Sequence, residues 1–205
     1  MSEVAEVLTG EAILVATEEV LRRYGPAKAT VVDVAKALGV SHGSVYRHFP
    51  TKAALREAVT RRWLDVVHAE FEAIVEQEGT AAERLRVWLQ ALFDKKRRSH
   101  LEEPELFENF QVLVKESASI PEYHVRHMVG ILTRIIRAGV ETQEFVTDDV
   151  DVTAQAVWDA TDKFHHPSHA REWGNPHIQA EFDAVVSLVV AGLRYNRSPS
   201  ATGDA

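Results

Sequence analysis

The chain has 205 residues, of which 45% are hydrophobic and 26% are charged, as is usual for a globular protein. It contains no cysteine, which excludes disulfides, thiol nucleophiles and cysteine-ligated zinc. No apolar run approaches the roughly 18 to 20 residues that cross a bilayer. Because the first ten residues are acidic and lack the core of a signal peptide, we expect a cytoplasmic protein without a membrane span.

The net charge of −8 is distributed unevenly along the chain. Residues 20–62 contain nine Lys or Arg and two acidic residues, a balance of +7 that leaves −15 for the remainder. A small basic segment on an acidic body is the electrostatic pattern of a local DNA-binding module. A solvated basic helix face is the alternative that charge alone leaves open.

Apolar residues recur at helical spacing throughout the chain, and strand-like alternation is almost absent, so we predict an all-α fold of about nine helices. The first helix covers about residues 9–24 and ends at Gly25. The second begins at Thr30, where Asp33 occupies the position of a capping box, and Gly39 ends it. A short third helix follows, and a long fourth helix begins after Thr51 and reaches about residue 78.

Five further helices are predicted, over about residues 81–98, 104–117, 121–140, 148–165 and 176–195. Residues 168–175 have the composition of a loop. The basic run at residues 95–98 is interpreted as compensation of the helix dipole on a solvated surface, with a second DNA contact as the alternative. We expect three parts: a DNA-binding domain over 1–51, a ligand-binding and dimerisation domain over 52–196, and a flexible tail over 197–205.

The second and third helices have the length and spacing of a helix-turn-helix spanning about residues 30–49, whose second helix enters the major groove of DNA. On a helical wheel, Val45 and Phe49 share the buried face of the third helix. Small or polar residues point away from that face or lie on its flanks; they are Gly43, Ser44, Arg47, Tyr46 and His48.

Each of these residue types suits a particular contact with DNA. Arg47 can donate two hydrogen bonds to the edge of a guanine. Tyr46 and His48 can donate to phosphates, which positions the helix without specifying a sequence. Thr30 and Lys52, at the starts of the second and fourth helices, suit phosphate contacts as well.

The segment from Thr30 to Leu55 resembles the DNA-binding domain of the TetR (tetracycline repressor-like) family. The matching elements are the Val-Ala-Lys-Ala-Leu-Gly-Val core, Ser41, Gly43, Val45-Tyr46, His48-Phe49 and Lys52. The resemblance is strong over about residues 9–62. It implies that Thr30, Ser44, Tyr46, His48 and Lys52 contact the DNA backbone or base edges. It also implies that His42, Gly43 and Arg47 face the groove.

The resemblance further implies an all-helical homodimer that binds double-stranded operator DNA and responds to a small-molecule effector, usually as a repressor. The helices at about 148–165 and 176–195 would form the dimer interface. The apolar composition of the last helix independently favours burial on more than one side, and a helix inside one subunit's core is the alternative. We expect no cofactor.

The effector site is the part that the sequence predicts least sharply. Aromatic and polar residues at helical spacing are candidates to line it: Trp88, Phe93, Phe107, Phe110, Met128, Trp158, Asp162 and His165. Ordinary core packing is the alternative for each of them. The pairs His124/His127 and His165/His169 have spacings that a metal could use, but each lacks an evident third ligand, so we predict no metal site.

An enzyme and an architectural DNA-binding protein are the two alternatives to a regulator. An enzyme is not expected, because no Gly-x-Ser-x-Gly elbow, phosphate-binding loop or His-Glu-x-x-His motif occurs. An architectural DNA-binding protein is disfavoured by the acidic body, because wrapping DNA requires broad positive charge.

Overall fold

A computed structural model describes residues 8–194, and this part of the chain consists of ten α-helices and one 3-10 helix without any β-strand. The predicted all-α class is confirmed. The tail predicted for 197–205 lies outside the described residues. The helices are α1 (Gly10–Lys28), α2 (Val31–Ala37), α3 (His42–His48), α4 (Lys52–Val75), α5 (Ala81–Glu102), α6 (Pro104–Glu116), α7 (Ser119–Glu141), α8 (Val150–Ala160), α9 (Asp162–His165), the 3-10 helix (Pro167–Glu172) and α10 (Ile178–Arg194).

The described chain divides into two compact units that do not follow the boundary expected at residue 51. The first unit contains residues 8–67 and 102–125, and the second contains residues 68–101 and 126–194. The first unit therefore combines α1 to α3 and the beginning of α4 with α6, which lies about 50 residues further along the chain.

The core of the first unit is formed by apolar side chains from α1, α2, α3, α4 and α6. Its buried members include Ile13, Leu21, Val34, Val45, Val59 and Leu113. Helix α1 begins at Thr9, whose hydroxyl accepts a hydrogen bond from the Ala12 N–H at 3.1 Å. It is interrupted at Gly25, where φ is 71° and ψ is 163°, a backbone region that is accessible almost only to glycine. The predicted helix end at Gly25 thus corresponds to a kink, after which one more turn reaches Lys28.

The second unit is organised around α5 and α7, which both carry broad buried stripes. On α5 the buried residues are Ala81, Ala82, Leu85, Trp88, Leu89, Leu92 and Phe93. Phe93 packs against two other aromatic rings, Phe164 at 5.6 Å and Phe182 at 4.9 Å between ring centroids. Glu144 ties the start of α5 to the segment after α7, because its carboxylate accepts hydrogen bonds from the N–H groups of Ala81 and Ala82. These hydrogen bonds satisfy backbone N–H groups in the first turn of α5, which have no acceptor within the helix.

Helix α5 is one turn longer than predicted, and this changes the interpretation of the basic run. The helix continues to Glu102, so Lys95, Lys96, Arg97 and Arg98 are not its last turn. Only Arg98 of the four is exposed. The expectation of a solvated, dipole-compensating end was wrong, because nothing in residues 99–102 breaks a helix and Pro104 begins the next one.

The helix predicted over 148–165 is divided in two at Thr161. Thr161, which is 1% exposed, has a φ of −102° and a ψ of 7°, outside the helical range, and its hydroxyl donates to the carbonyls of Val157 and Trp158. The segment predicted as a loop over 168–175 contains the 3-10 helix instead, starting at Pro167. Short 3-10 turns give no periodic apolar signal, which explains why the sequence did not indicate them.

Candidate DNA interface and effector site

The turn between α2 and α3 is fixed by Gly39 and by two backbone hydrogen bonds. Gly39 has a φ of 66°, its N–H donates to the Lys36 carbonyl, and the N–H of Val40 donates to the Ala35 carbonyl. This pair of bonds is a Schellman motif, which ends a helix with a left-handed residue that glycine adopts without strain. The next helix begins at once, with the Ser41 hydroxyl accepting from the Ser44 N–H at 3.1 Å.

Helix α3 is held by its inner face and leaves its outer face open. Val45 is 0% exposed, and Val40 and Phe49 pack against the core of the first unit. The remaining candidate residues for DNA contact are exposed, except for Ser44, which is half-buried; the exposed ones are Thr30, His42, Gly43, Tyr46, Arg47, His48 and Lys52. The orientation predicted from the helical wheel therefore agrees with the burial of each position on α3.

Arg47 is oriented by a chain of hydroxyl groups on α3. Its Nη2 donates to Ser44 Oγ at 3.1 Å, and Ser44 Oγ lies 2.9 Å from Ser41 Oγ. No carboxylate forms an ion pair with Arg47 among the described residues, so its charge is available for an incoming partner. Arg47 is thus a pre-positioned donor at the exposed surface of the recognition helix.

Thr30 forms the predicted capping box with Asp33. The Asp33 N–H donates to Thr30 Oγ1, and the Asp33 carboxylate accepts from both the hydroxyl and the N–H of Thr30. The hydrogen bonds from the Thr30 hydroxyl and N–H hold the pKa of Asp33 below its usual value. Both donors of Thr30 are therefore occupied, and a phosphate would have to compete with Asp33 for them.

Part of the positive charge in residues 20–62 is neutralised within the first unit. Arg56 binds the carboxylate of Glu116 and the carbonyl of Pro26. Arg62 pairs with Glu11 at 3.1 Å and with Glu18 at 3.0 Å, and Arg61 lies 3.6 Å from Glu57. The balance of +7 already subtracts Glu57, but it still overestimates the charge available to DNA, because Arg56 and Arg62 pair with carboxylates outside residues 20–62.

The candidate effector residues do not all belong to one unit. Phe107 and Phe110 are part of the first unit, where Phe110 lies 6.2 Å from the Trp63 ring. Five of the other six are buried in the second unit: Trp88, Phe93, Met128, Trp158 and His165. Asp162 also belongs to that unit, but its side chain is 45% exposed and faces His169 at 3.5 Å.

His165 is a buried, neutral imidazole. It is 4% exposed, and its ring lies 3.9 Å from the Trp158 ring. Burial lowers the pKa of His165 to about 4, although a hydrogen bond between Nε2 and the Trp158 carbonyl works in the opposite direction. Because a carbonyl only accepts, Nε2 carries the proton in the neutral ring and Nδ1 keeps its lone pair.

Lys96 is a residue of this region that sequence reasoning passed over. Its charge also acts on His165, lowering the pKa of that imidazole. Burial lowers the pKa of Lys96 itself to about 8. Its position on the wheel of α5, in line with Leu85 and Leu89, is the signal that would have identified it, but the neighbouring basic residues concealed it.

The histidine pairs considered for metal binding have other partners. His127 lies 3.1 Å from Glu72 and stacks on His68 with 4.0 Å between ring centroids. His169 contacts Glu172 and Asp162, whereas His165 is buried against Trp158. Within residues 8–194, no three His, Asp or Glu side chains are grouped as a metal site requires. Over the same residues, no helix has the length and apolar character needed to span a membrane.

Two protein-family models match this chain, one in its N-terminal part and one in its C-terminal part. The model for bacterial regulatory proteins of the tetR family matches residues 13–59, and the model for the tetracyclin repressor-like C-terminal domain matches residues 81–186. The second match alone covers more than half of the 205 residues. The chain belongs to the TetR family. It is therefore a DNA-binding regulator with a TetR-type C-terminal effector domain, as the motif at residues 30–49 predicted.

Individual relatives have low sequence identity to this chain, and their alignments cover only part of it. The nucleoid occlusion factor SlmA of Vibrio atlanticus is 34% identical over 83 residues, which cover 40% of this chain and 42% of SlmA. The repressor KstR2 of Mycobacterium tuberculosis is 27% identical over 134 residues, covering 64% of this chain and 67% of KstR2. This chain thus spans less than half of SlmA and about two thirds of KstR2.

A solved TetR-family structure shares the fold over almost the whole length. The transcriptional regulator FadR from Bacillus subtilis, in complex with stearoyl-CoA, superimposes with a TM-score of 0.59 at 20% identity. The match covers 90% of this chain and 99% of FadR. At this identity the similarity concerns the fold.

Proposed function

We propose that this TetR-family protein is a sequence-specific repressor that leaves its operator when a small molecule binds in the second unit. The observation that carries the proposal is helix α3, whose inner face is anchored by the fully buried Val45 while its outer face presents Gly43, Tyr46 and Arg47. A small residue near the helix start lets the backbone approach base edges, and an arginine one turn further can read a guanine.

Lys52, Tyr46 and His48 would hold the helix against the DNA backbone. All three are exposed around the recognition helix or at the start of α4. Phosphate contacts of this kind provide affinity and orientation but no sequence information. Base specificity is therefore assigned to Arg47, with Ser41 and Ser44 holding its side chain.

The functional unit is proposed to be a homodimer formed through α8 and α10. The outer faces of these helices carry exposed apolar side chains, Val152 at 65% and Leu188 at 73%. Small residues surround Leu188 on the same exposed surface of α10; they are Ala180, Ala184, Ala191 and Gly192. Such a surface allows close approach of a second helix pair, and two recognition helices are needed to read two half-sites.

Control by an effector is proposed to act through α4 and α6. In the first unit, Arg56 on α4 connects the Pro26 carbonyl of α1 with Glu116 of α6, and Asn109 of α6 lies beside Gly25. A ligand that displaces α4 or α6 would therefore move α1 together with the helix-turn-helix. Changed separation of the two recognition helices in the dimer would then weaken operator binding.

Two of the relatives support a ligand-controlled repressor, and a third suggests a different role. KstR2 is a repressor and FadR binds stearoyl-CoA, which favours a ligand-controlled repressor. SlmA is a nucleoid occlusion factor, which makes a DNA-binding role outside transcription the second candidate. The two are distinguished by whether specific binding occurs at the promoter of the protein's own gene and whether it controls transcription there.

The test compares binding to DNA upstream of the protein's own gene with binding to random DNA of equal length, over a range of salt concentrations. We expect Arg47→Ala to weaken specific binding by about 5- to 150-fold, the range for one bidentate contact, and to reduce non-specific binding much less. Arg98→Ala is the matched control, because it removes the same charge from an exposed site in the second unit. Equal affinity of the wild-type protein for both DNAs would refute sequence-specific regulation.

A further inference from the structure

The indole of Trp88 is completely buried, and its N–H group has no hydrogen-bond acceptor among residues 8–194. Trp173 is the matched contrast, because its ring is also 0% exposed but its Nε1–H donates to the Lys163 carbonyl at 2.9 Å. Nearly all buried polar groups in folded proteins are hydrogen-bonded, since an unpaired group has lost water without a replacement. A phenyl ring would bury apolar surface without that cost, so the unpaired N–H of Trp88 indicates a role in binding.

A second buried donor lies one helical turn before Trp88 on α5. The Nε atom of Arg84 is buried without an acceptor in the described part of the chain, although Nη1 of the same side chain donates to the Gly79 carbonyl at 2.7 Å. Side chains four residues apart are neighbours on a helix surface. Leu85 and Leu92, which flank Trp88 on this face, are apolar and buried. A complementary ligand therefore has to be apolar and to carry an oxygen that accepts hydrogen bonds.

The ring of Phe71 on α4 packs against Trp88. The two ring centroids are 5.8 Å apart, the ring planes are tilted by 59°, and Phe71 is itself only 3% exposed. Because Trp88 has no accessible surface, a ligand reaches its N–H only after a neighbouring side chain has moved, and Phe71 is the neighbour whose ring contacts the indole. Helix α4 begins at Lys52, shortly after α3 ends at His48. Binding at Trp88 would therefore act on the helix that follows the recognition helix.

We propose that the Trp88 N–H is the hydrogen-bond donor of the effector site, and that the effector is an apolar molecule whose carbonyl oxygen accepts this hydrogen bond after displacing Phe71. The proposal rests on the proposed function, because it names the chemical class of the effector and the contact on α4 through which the effector acts. A carbonyl oxygen only accepts hydrogen bonds, so it matches a helix face whose unpaired polar groups are donors.

The binding test uses two ketones and their isosteric alkenes, acetophenone with α-methylstyrene and 2-heptanone with 2-methyl-1-heptene. In each pair, a CH2 group replaces the carbonyl oxygen, which removes the acceptor and keeps the shape. Binding to the whole protein is followed by the indole 15N–1H signals of its four tryptophans. The Trp88 signal is identified by its loss in Trp88→Phe and also by nuclear Overhauser effects with the Phe71 ring, so its assignment does not depend on the folding of the variant.

We expect at least one ketone to move the Trp88 indole proton downfield and to bind about 2- to 10-fold more tightly than its alkene, as one neutral hydrogen bond provides. Trp88→Phe should abolish this preference. Trp173→Phe should keep it, because the N–H that it removes already has an acceptor. The proposal is overturned if neither ketone moves the Trp88 signal at about 5 mM, or if Trp88→Phe keeps the preference. Equal shifts with ketone and alkene, as a trapped water on the N–H would give, also overturn it.

Phe71→Leu tests whether the α4 side chain closes the site. A smaller side chain leaves less to displace, so this variant should bind the ketone up to about 10-fold more tightly and keep the preference over the alkene. Phe145→Leu is the control, because it shortens another buried phenylalanine of the second unit, which packs beside Gly139. Its ketone affinity should equal that of the wild-type protein. Weaker binding by Phe71→Leu would refute the displacement of Phe71.

DNA release is measured separately, by adding the same ketones to the protein bound to DNA upstream of its own gene. We expect the ketone that shifts the Trp88 signal to weaken this binding, and its alkene to weaken it less. A ketone that binds at Trp88 without releasing the DNA refutes control through α4. Absence of specific binding to this DNA refutes the repressor proposal, whereas the indole spectra still decide whether Trp88 binds a carbonyl ligand.

Discussion

Replacing Lys96 by methionine should make the protein more stable at neutral pH. Burial lowers the pKa of Lys96 from 10.5 to about 8, and at 1.36 kcal/mol per pKa unit this corresponds to roughly 3 kcal/mol. Because Lys96 keeps some accessible surface, this is an upper value. Methionine fills the same space without the desolvation cost, so Lys96→Met should raise the free energy of unfolding by up to about 3 kcal/mol at pH 7.

The pH dependence of the difference gives a stricter check. Below pH 8 the lysine is charged in both the folded and unfolded chains, and above about pH 10.5 it is neutral in both. Between these values the unfolded chain binds more protons, so the wild-type protein gains stability from this group as the pH rises. The advantage of Lys96→Met should therefore decrease from pH 8 upward and vanish near pH 10.5.

Urea unfolding followed by tryptophan fluorescence and circular dichroism at pH 7, 8, 9 and 10 measures these free energies. The Lys95 side chain is 38% exposed and its ammonium pairs with Glu70, so Lys95→Met should change stability by less than about 0.5 kcal/mol without a comparable pH trend. A Lys96→Met protein that is no more stable than wild type at pH 7, or whose advantage is the same at every pH, would refute the assignment of a buried cation.

Two further predictions concern packing and assembly. Gly130 occupies an exposed position in α7 with open space around it, so Gly130→Ala should stabilise the protein by about 1 kcal/mol. Gly139→Ala should destabilise it by about 1 to 3 kcal/mol, because the added methyl group would overlap the Phe145 ring. Melting temperatures that shift in the same direction for both variants would contradict this prediction. If the protein forms the proposed homodimer through α8 and α10, Leu188→Glu should sediment as a monomer in analytical ultracentrifugation and should not bind the operator, whereas its circular dichroism should be unchanged. Val87→Glu, which is also on an exposed helix surface, should remain dimeric, and a dimeric Leu188→Glu protein would exclude α10 from the interface.

The helix-turn-helix could be predicted in detail because its signals are local. The Thr30 cap, the left-handed Gly39 and the spacing of Val45 and Phe49 all lie within 20 residues of one another, and each has one favourable structural solution. The same local signals do not report on partners distant in sequence. Arg56 counted as positive charge available to DNA, although Glu116 and the Pro26 carbonyl occupy it.

The effector region was less predictable for a related reason. An aromatic residue at helical spacing is buried in either unit, so the pattern did not separate Phe107 and Phe110 from Trp158 and His165. Lys96 was missed because a basic run suggests solvent exposure, and only the continuation of α5 to Glu102 shows that the run lies within a helix. The break at Thr161 is a change of backbone conformation at a single residue, which gives no periodic signal.

Because the first unit is formed by two separate segments of the chain, its folding during synthesis and its transfer to another protein both depend on the second segment. Leu113 of α6 belongs to the same buried cluster as Val45, and Arg56 of α4 binds Glu116. During synthesis, the DNA-reading part therefore lacks a piece of its core until residues beyond 113 have left the ribosome. A fusion protein that contains only the residues up to 67 would leave that cluster exposed to water. A DNA-binding domain that folds on its own has to include residues 102–125 as well.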